Sequence, residues 1–160
     1  MGVSAYTDVA KSPIAAHRLF QAFYVDSHNL FPKVLPQVFS KIDLIPGQGG
    51  APTIKLIQYR DGDQVKCMKN EITELDENKL VCKNRIVEGN MIGDEIETIC
   101  YDVKFVANSG GGCTCTTKIE YHTKGDFVIN HEEMKKAEEK SKGIFEAVQA
   151  YLTAHPDLYA

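Results

Sequence analysis

The sequence predicts a single α+β domain in which a curved antiparallel sheet of seven strands lies against one long C-terminal helix. Two observations predict it: apolar residues alternate through most of the first 123 positions, and their period lengthens to about 3.6 after residue 126. Short turn signals separate the alternating segments, which favours antiparallel neighbours. A chain of 160 residues is long enough for one core and short for two, so residues 1–160 are assigned to one domain.

The N-terminal part combines an opening strand with two short helices. Residues 3–9 alternate between apolar and polar as a strand does. Ser12 and Pro13 predict a helix over 13–24, because a hydroxyl residue often caps a helix and proline suits its first position. A second short helix is predicted over 29–35. The six further strands are predicted near 38–45, 53–60, 64–75, 79–88, 94–107 and 113–123.

The C-terminal part predicts one long helix over 131–154. Asn130 and Glu133 form a start that resembles a capping box. Gly143 lies in the helix interior, where glycine costs about 1 kcal/mol relative to alanine. Two interpretations remain open: a tolerated weakness, or a soft point that lets the helix bend around a filled cavity. The apolar stripe of the helix consists of Met134, Ala137, Ser141, Ile144, Val148 and Tyr151.

A single helix cannot fill the concave face of a seven-stranded sheet. Large side chains or a ligand must therefore occupy the remaining space. The sequence predicts a large internal cavity at this place, and the functional hypotheses follow from it.

Composition and charge argue against several classes of function. The apolar fraction of 43% and the charged fraction of 25% are those of an ordinary soluble protein, and the net charge of −4 makes a nucleic-acid partner an unfavoured interpretation. No apolar run is long enough to span a membrane and no signal-peptide pattern is present, so we expect a cytoplasmic protein, with the nucleus as a second location. The odd number of cysteines, five, indicates free thiols. The spacing of these cysteines and of the five scattered histidines predicts no metal site, and we expect no cofactor.

A glycine-rich segment between the second and third predicted strands resembles a phosphate-binding loop at first sight. It contains Gly47, Gly49 and Gly50, and glycines allow backbone N–H groups to face an anion. A nucleotide-binding loop also needs a Lys-Ser or Lys-Thr pair followed by a helix, whereas here Lys55 precedes Leu56 within a strand. The segment is therefore interpreted as a connection between strands.

The chain from Gly2 to Tyr159 resembles the birch-pollen-allergen family, the intracellular pathogenesis-related proteins of class ten in plants. The resemblance implies a helix-grip fold, in which the sheet grips the C-terminal helix, and a binding function in plant defence or stress. Each motif is weak alone, but their order and spacing are specific. The motifs are residues 30–34 (LFPKV), the glycine-rich segment, 87–90 (VEGN), 93–94 (GD), 121–126 (YHTKGD) and 151–156 (YLTAHP).

The resemblance also implies which residues line the cavity. Strand alternation independently places three groups of them on one face each: Ile57 with Tyr59, Cys82 with Asn84 and Ile86, and Ile99 with Tyr101 and Val103. The full set implied by the resemblance is Phe23, Phe31, Val38, Lys55, Ile57, Tyr59, Cys67, Asn70, Cys82, Asn84, Ile86, Met91, Ile99, Tyr101, Val103, Thr116, Lys118, Ala137, Lys140 and Ile144.

This lining differs in polarity from that of relatives. At the positions that correspond to Cys67, Cys82 and Asn84, relatives often carry tyrosines, and at the position of Asn70 they often carry an acid. Lys55, Lys118 and the two asparagines are candidates for orienting a ligand in an otherwise apolar pocket. Alternatively, Asn70 and Asn84 bond to each other or to water. The two cysteines are interpreted as packing residues rather than nucleophiles.

Three functions are consistent with such a chain. The first is a carrier, store or receptor-like sensor of a small hydrophobic metabolite, such as a phytohormone, flavonoid, alkaloid or sterol-like molecule. Hormone receptors of the superfamily, as in abscisic acid signalling, suggest a protein partner that reads the liganded state. The second is an enzyme of specialised metabolism. The third and least favoured is a ribonuclease.

The residues of the two catalytic hypotheses are only partly present. Relatives that are norcoclaurine synthases carry acids and bases at positions corresponding to Met68, Asn70, Cys82 and Tyr101, and none of those required groups is kept here. Another cyclisation, condensation or isomerisation would need Lys55, Tyr101 or Lys118 for proton transfer. The positions ascribed to ribonuclease activity are Lys55, Glu97, Gln149 and Tyr151, and Gln149 cannot act as a general base.

Overall fold

A computed structural model describes residues 2–45, 53–89 and 91–160. The elements alternate much as the sequence predicts. The strands are β1 Gly2–Ser12, β2 Phe39–Ile45, β3 Thr53–Asp61, β4 Gln64–Asp76, β5 Val81–Glu88, β6 Ile96–Ala107 and β7 Cys113–Thr123. The helices are α1 Ala16–Phe20, which continues as a π-helical turn over Gln21–Val25, then α2 Ser27–Val34 and α3 His131–Ala154.

The strands form one antiparallel sheet in the order β1-β7-β6-β5-β4-β3-β2. Neighbours from β2 to β7 are consecutive in sequence, whereas β1 crosses to pair with β7 from Gly2↔Thr123 to Ser12↔Cys113. Irregularities interrupt the pairing, for example between Ile72 and Glu74 of β4. Such bulges bend a strand and increase its twist. The predicted curved, seven-stranded antiparallel sheet with one long helix and two short ones is confirmed.

The first helix begins later than predicted. Ser12 is the last residue of β1, and its Oγ accepts a hydrogen bond from the backbone N–H of Ile14 at 3.1 Å. This bond closes a local turn rather than capping a helix. Helix α1 begins at Ala16, so the predicted start at Pro13 is wrong.

The start of α3 is as predicted. The side chain of Asn130 accepts a hydrogen bond from the backbone N–H of Glu133 at 2.8 Å, which satisfies one of the free donors of the first turn. Only the C-terminal half of the helix is tightly packed, where Val148 and Leu152 are fully buried. The N-terminal half carries exposed residues and the half-buried Met134 and Ala137.

The C-terminal end of α3 is fixed by a side chain from α1. The guanidinium of Arg18 donates to the carbonyl oxygens of Leu152 at 3.0 Å, His155 at 2.8 Å and Leu158 at 2.9 Å. A cation at this position satisfies carbonyls that lack intrahelical partners and complements the negative end of the helix dipole. The contact orients α3 relative to α1, and both helices bury Leu19, Phe20 and Val148 in one core cluster.

Candidate functional site on the inner face of the sheet

The two faces of the sheet differ sharply in character. In β6, Ile99, Val103 and Phe105 are buried, whereas the intervening Asp102 and Lys104 are exposed. In β7, the buried residues are Cys113, Cys115, Ile119 and Tyr121. We call the face that carries these buried residues the inner face, because the helices pack on this side.

Most of the predicted lining residues lie on the inner face or on the helices that cover it. Ile86, Ile99 and Val103 are buried there, and Lys55 and Cys82 are also buried. Aromatic pairs link the covering elements, with ring centroids 5.5 Å apart for Phe23–Phe31 and 5.6 Å apart for Phe23–Phe145. Half-buried members of the predicted set are Phe23, Phe31, Val38, Ile57, Tyr59, Asn70, Asn84, Met91, Tyr101, Ala137 and Ile144.

Four predicted lining residues are placed elsewhere. Cys67 is exposed and is paired with Gln58, on the opposite face from Met68. Thr116 and Lys118 are exposed on the outer face of β7, and Lys118 forms an ion pair with Glu120 at 3.3 Å. The other residues of β7 on the same face are also polar, so the alternation in the sequence already indicates that this face is exposed.

The fourth of these residues, Lys140, is exposed on α3, where its charge acts on Asp61. The prediction that Cys67, Thr116, Lys118 and Lys140 line the interior is therefore wrong. The predicted glycine-rich loop of Gly47, Gly49 and Gly50 lies outside the described residues.

Two tyrosines at or near the inner face have desolvated hydroxyl groups but keep some accessible surface. Tyr101 of β6 and Tyr24 of the π-helical turn are only half-buried by surface area. Burial nevertheless raises the pKa of Tyr101 and raises the pKa of Tyr24 well above its usual range. Both tyrosines therefore combine a desolvated hydroxyl group with some accessible surface.

Lys55 lies in the most unusual electrostatic environment of the site. It is only 4% exposed, and its Nζ donates to Ser27 Oγ at 2.6 Å and to the carbonyl oxygen of Tyr24 at 3.3 Å. Desolvation lowers the pKa of Lys55 to about 8, although the nearby Cys82 and Asp26 act in the opposite direction. Sequence reasoning identified Lys55 but not Ser27, because nothing in the local pattern links residues 28 positions apart.

The surroundings of Lys55 contain further polar groups, some of them partly buried. Burial and the charge of Lys55 lower the pKa of His28, whose Nδ1 has no hydrogen-bond partner among the described residues. Asp26 accepts hydrogen bonds from Asn29 Nδ2 at 2.7 Å and from the hydroxyl of Tyr159 at 2.5 Å. The segment between α1 and α2 thus connects Lys55 with the C-terminal end of the chain.

A second polar group lies on β4 and β5. Asn70 Nδ2 donates to Asn84 Oδ1 at 3.0 Å, and Asn84 Nδ2 donates to Cys82 Sγ at 3.6 Å. The interpretation that the two asparagines bond to each other is thus confirmed. Burial raises the pKa of the Cys82 thiol to about 11, while the bond from Asn84 acts against this shift. Cys82 is consequently a protonated packing group, as predicted.

The residues at the positions ascribed to ribonuclease activity lie in different environments. Lys55 is buried, whereas Glu97 is exposed in β6 and the ring of Tyr151 stacks on His155 with centroids 4.1 Å apart. Within the described ranges, no group of three or more His, Cys, Asp or Glu side chains could hold a metal ion. None of the helices in those ranges has the length and apolar character needed to cross a bilayer.

Two open depressions lie at the edges of this arrangement. One of about 480 Å³ separates Tyr6 and Thr7 of β1 from the first turns of α3, where Met134 lies. The other, of about 300 Å³, is on the outer face and is lined by charged residues such as Lys83, Asp102 and Lys118.

Comparison with known proteins identifies relatives of the whole chain. The model of the pathogenesis-related protein Bet v 1 family matches residues 1–155. Pathogenesis-related protein STH-2 of Solanum tuberosum is 42% identical over 160 residues, which is 100% of both chains. Major pollen allergen Bet v 1-M/N of Betula pendula is 41% identical over 159 residues, which is 99% of each chain.

Solved structures share the fold. The crystal structure of Ara h 8.0201 is similar with a TM-score of 0.87 and 27% identity, over 96% of this chain and 99% of that chain. Norcoclaurine synthase from Thalictrum flavum is similar with a TM-score of 0.77 and 18% identity, over 95% of this chain and 87% of that chain. The latter likeness concerns the fold alone.

Proposed function

The chain belongs to the pathogenesis-related protein Bet v 1 family, and from this premise we propose that it binds a small hydrophobic or amphiphilic plant metabolite between the inner face and α3. The ligand class comprises phytohormones, flavonoids, alkaloids and sterol-like molecules. The protein acts as a carrier, store or sensor of that ligand in plant defence or stress. Its proposed location is the cytoplasm, with the nucleus as a second site.

One observation carries the proposal. Tyr101 and Tyr24 keep accessible surface, yet burial raises the pKa of both phenols. We infer that these rings border a space between the sheet and α3, and small ligands usually bind in apolar spaces of this kind. The half-buried N-terminal half of α3, at Met134 and Ala137, supports the same interpretation.

The proposed site has the usual division between apolar area and a few polar groups. Ile57, Ile99 and Ile144 supply apolar surface, whose burial contributes about 25 cal/mol per Å² before the cost of ordering the ligand. Lys55 and the Asn70–Asn84 pair supply directional hydrogen bonds. A ligand with a ring system and one or two polar groups fits this combination.

A protein partner that recognises the liganded state is part of the proposal. Ligand contacts with the N-terminal half of α3 would favour one position of this half of the helix, and a partner can distinguish that position from others. The measurement is ligand-dependent capture of the partner, and capture that is equal with and without ligand contradicts this part.

An enzyme that uses the same site is the second candidate. The observation that favours it is the buried Lys55, because a lysine with a pKa of about 8 can exchange protons near neutral pH. Norcoclaurine synthase shares this fold. Ribonuclease activity has less support, since Gln149 lacks a carboxylate.

Binding is tested with a fluorescent hydrophobic probe and by calorimetry with a panel of flavonoids, hormones and alkaloids. Two adjacent residues of β5 on opposite faces give matched variants: Asn84→Phe fills the inner face, and Lys83→Phe changes the outer face. We expect Asn84→Phe to weaken probe binding at least tenfold and Lys83→Phe to leave it unchanged. Folded wild-type protein that binds neither the probe nor any panel member would overturn the proposal.

A further inference from the structure

Lys55 is a buried amine that neutral oxygens hold in place. Its side chain is 4% exposed, and its polar contacts are the hydroxyl of Ser27 and the carbonyl oxygen of Tyr24. No ion pair joins it to an Asp or Glu anywhere in the part of the chain that the structure describes. Buried lysines are normally paired, because an isolated buried charge is costly.

The amine is held at the proposed ligand site. Lys55 of β3 is in register with Asn70 of β4, so both side chains point to the inner face. Two of the three donor positions of the amine are occupied by neutral oxygens of Ser27 and Tyr24. These oxygens fix the amine without neutralising it.

We propose that Lys55 is a covalent capture site, at which the side-chain amine condenses with an aldehyde or ketone group of a ligand to form an imine. The inference rests on the proposed binding function and adds the chemical class of the ligand: an apolar molecule with a reactive carbonyl group.

The step is balanced without an oxidant or reductant. The lone pair of the neutral Nζ forms a bond to the carbonyl carbon, and the carbonyl π electrons move to its oxygen. A proton moves from nitrogen to that oxygen, giving a carbinolamine. Loss of water, with the second amine proton, forms the C=N bond. The hydroxyl of Ser27, 2.6 Å from Nζ, accepts a hydrogen bond from the amine and is placed to relay the proton.

The electrostatic surroundings support the step. The groups that act on the amine are Asp26, before α2, and the thiol of Cys82 in β5, while His28 of α2 is itself affected by Lys55. Desolvation dominates and lowers the pKa of Lys55 to about 8. At pH 7 roughly one tenth of such an amine is neutral, against about one part in 2,500 for an unperturbed lysine.

The test uses cinnamaldehyde, an apolar aromatic aldehyde, with cyanoborohydride to convert any imine into a stable adduct. The modified residue is located by peptide mass spectrometry of the full-length protein. We expect Lys55 to be labelled on the order of 100-fold faster than the exposed lysines at pH 7. The advantage of Lys55 over the exposed lysines should shrink as the pH rises, because a growing fraction of the exposed amines then becomes neutral as well. Lys55→Met and Lys55→Arg should both lose this labelling.

Controls separate this inference from the binding proposal. Cinnamyl alcohol has a similar shape and cannot form an imine, so its binding reports the cavity alone. If the alcohol binds and the aldehyde labels only exposed lysines, covalent capture is refuted and the binding proposal stands. If neither compound interacts with the inner face, capture is refuted as well. Ser27→Ala, which keeps the amine, should slow adduct formation without abolishing reversible binding of the alcohol. An unchanged rate in this variant would overturn the relay.

Discussion

Asn70 Nδ2 donates a hydrogen bond to Asn84 Oδ1 at 3.0 Å across β4 and β5. The two residues are not directly opposite in register, since Asn70 pairs with Ile86 and Asn84 with Ile72. The bond is therefore diagonal, on the inner face beside Cys82. Each amide satisfies part of the other, and the carbonyl oxygen of Asn70 remains a potential acceptor for a ligand donor.

This pair predicts strongly non-additive effects of substitution. Asn70→Leu or Asn84→Leu alone leaves the partner amide unsatisfied, which costs about 1–3 kcal/mol. The double variant replaces both polar groups by apolar ones of similar size and is expected to lie close to wild type. Urea unfolding of all four proteins measures the coupling. Additive losses would show that the two side chains do not depend on each other.

Lys55 predicts a pH dependence of stability. Its folded-state pKa of about 8 lies below the value for an unfolded lysine, about 10.4, so between these values the unfolded chain binds more protons and stability rises with pH. Lys55→Met removes this contribution. The variant no longer carries a charged amine in the interior, so its free energy of unfolding should exceed that of wild type most below pH 8. This difference should shrink by about 2–3 kcal/mol between pH 7 and pH 10.

The measurement is urea unfolding of both proteins at several pH values. Buried thiols such as Cys82 and Cys115 act in the opposite direction, because burial raises the pKa of each to about 11, but both proteins contain them. Lys33→Met, at an exposed lysine of α2, is the control for loss of charge. A difference between wild type and Lys55→Met that does not vary with pH would contradict the prediction.

Two glycines predict opposite effects of alanine. Gly89 has a φ of 81°, and an added Cβ would lie 2.2 Å from the carbonyl oxygen of Cys67, so Gly89→Ala should destabilise by about 1–3 kcal/mol or more. At Gly143 in α3 nothing lies within 4 Å of an added Cβ, so Gly143→Ala should stabilise by about 0.5–1 kcal/mol.

Thermal unfolding and probe binding of the two glycine variants measure both effects. A more stable Gly143→Ala protein with unchanged probe affinity identifies the glycine as a tolerated weakness. Loss of affinity in the same variant would instead favour the soft point that lets α3 bend around a ligand.

Cys67 is predicted to be the fastest site for an aqueous thiol reagent. Cys67 is exposed and Cys100 is half-buried, whereas Cys82, Cys113 and Cys115 are buried and burial raises the pKa of each. Cys67→Ser should therefore remove the fast phase of labelling at neutral pH, and Cys82→Ser should keep it. Labelling kinetics with mass spectrometry decide the outcome. A fast phase that disappears in Cys82→Ser would place an open path to the inner face.

The features set by local physics could be predicted from the sequence. The capping of α3 by Asn130 depends on residues three positions apart, and the inner face of β6 depends on simple alternation. The helix start predicted at Ser12 and Pro13 is wrong because the hydroxyl of Ser12 accepts a hydrogen bond from the N–H of Ile14 within a turn. Such a turn is a local alternative to helix capping.

The site was less predictable because it depends on sheet register and on distant contacts. The resemblance implies that Thr116 and Lys118 point inward, whereas the buried residues Ile119 and Tyr121 show that the alternate residues of β7 form the inner face. The contact of Lys55 with Ser27 and that of Arg18 with the end of α3 join segments far apart in sequence. No local pattern encodes these contacts.

The pairing of β1 with β7 has a consequence during synthesis. Gly2 meets Thr123 and Ser12 meets Cys113, so β1 leaves the ribosome about a hundred residues before β7, its partner in the sheet of the described residues. At about 5–20 residues per second, β1 waits roughly 5–20 s with an open hydrogen-bonding edge. The later strands meet neighbours made immediately before them. The pairing of β1 can therefore form only after β7 has been made, and β1 remains an edge strand of the finished sheet.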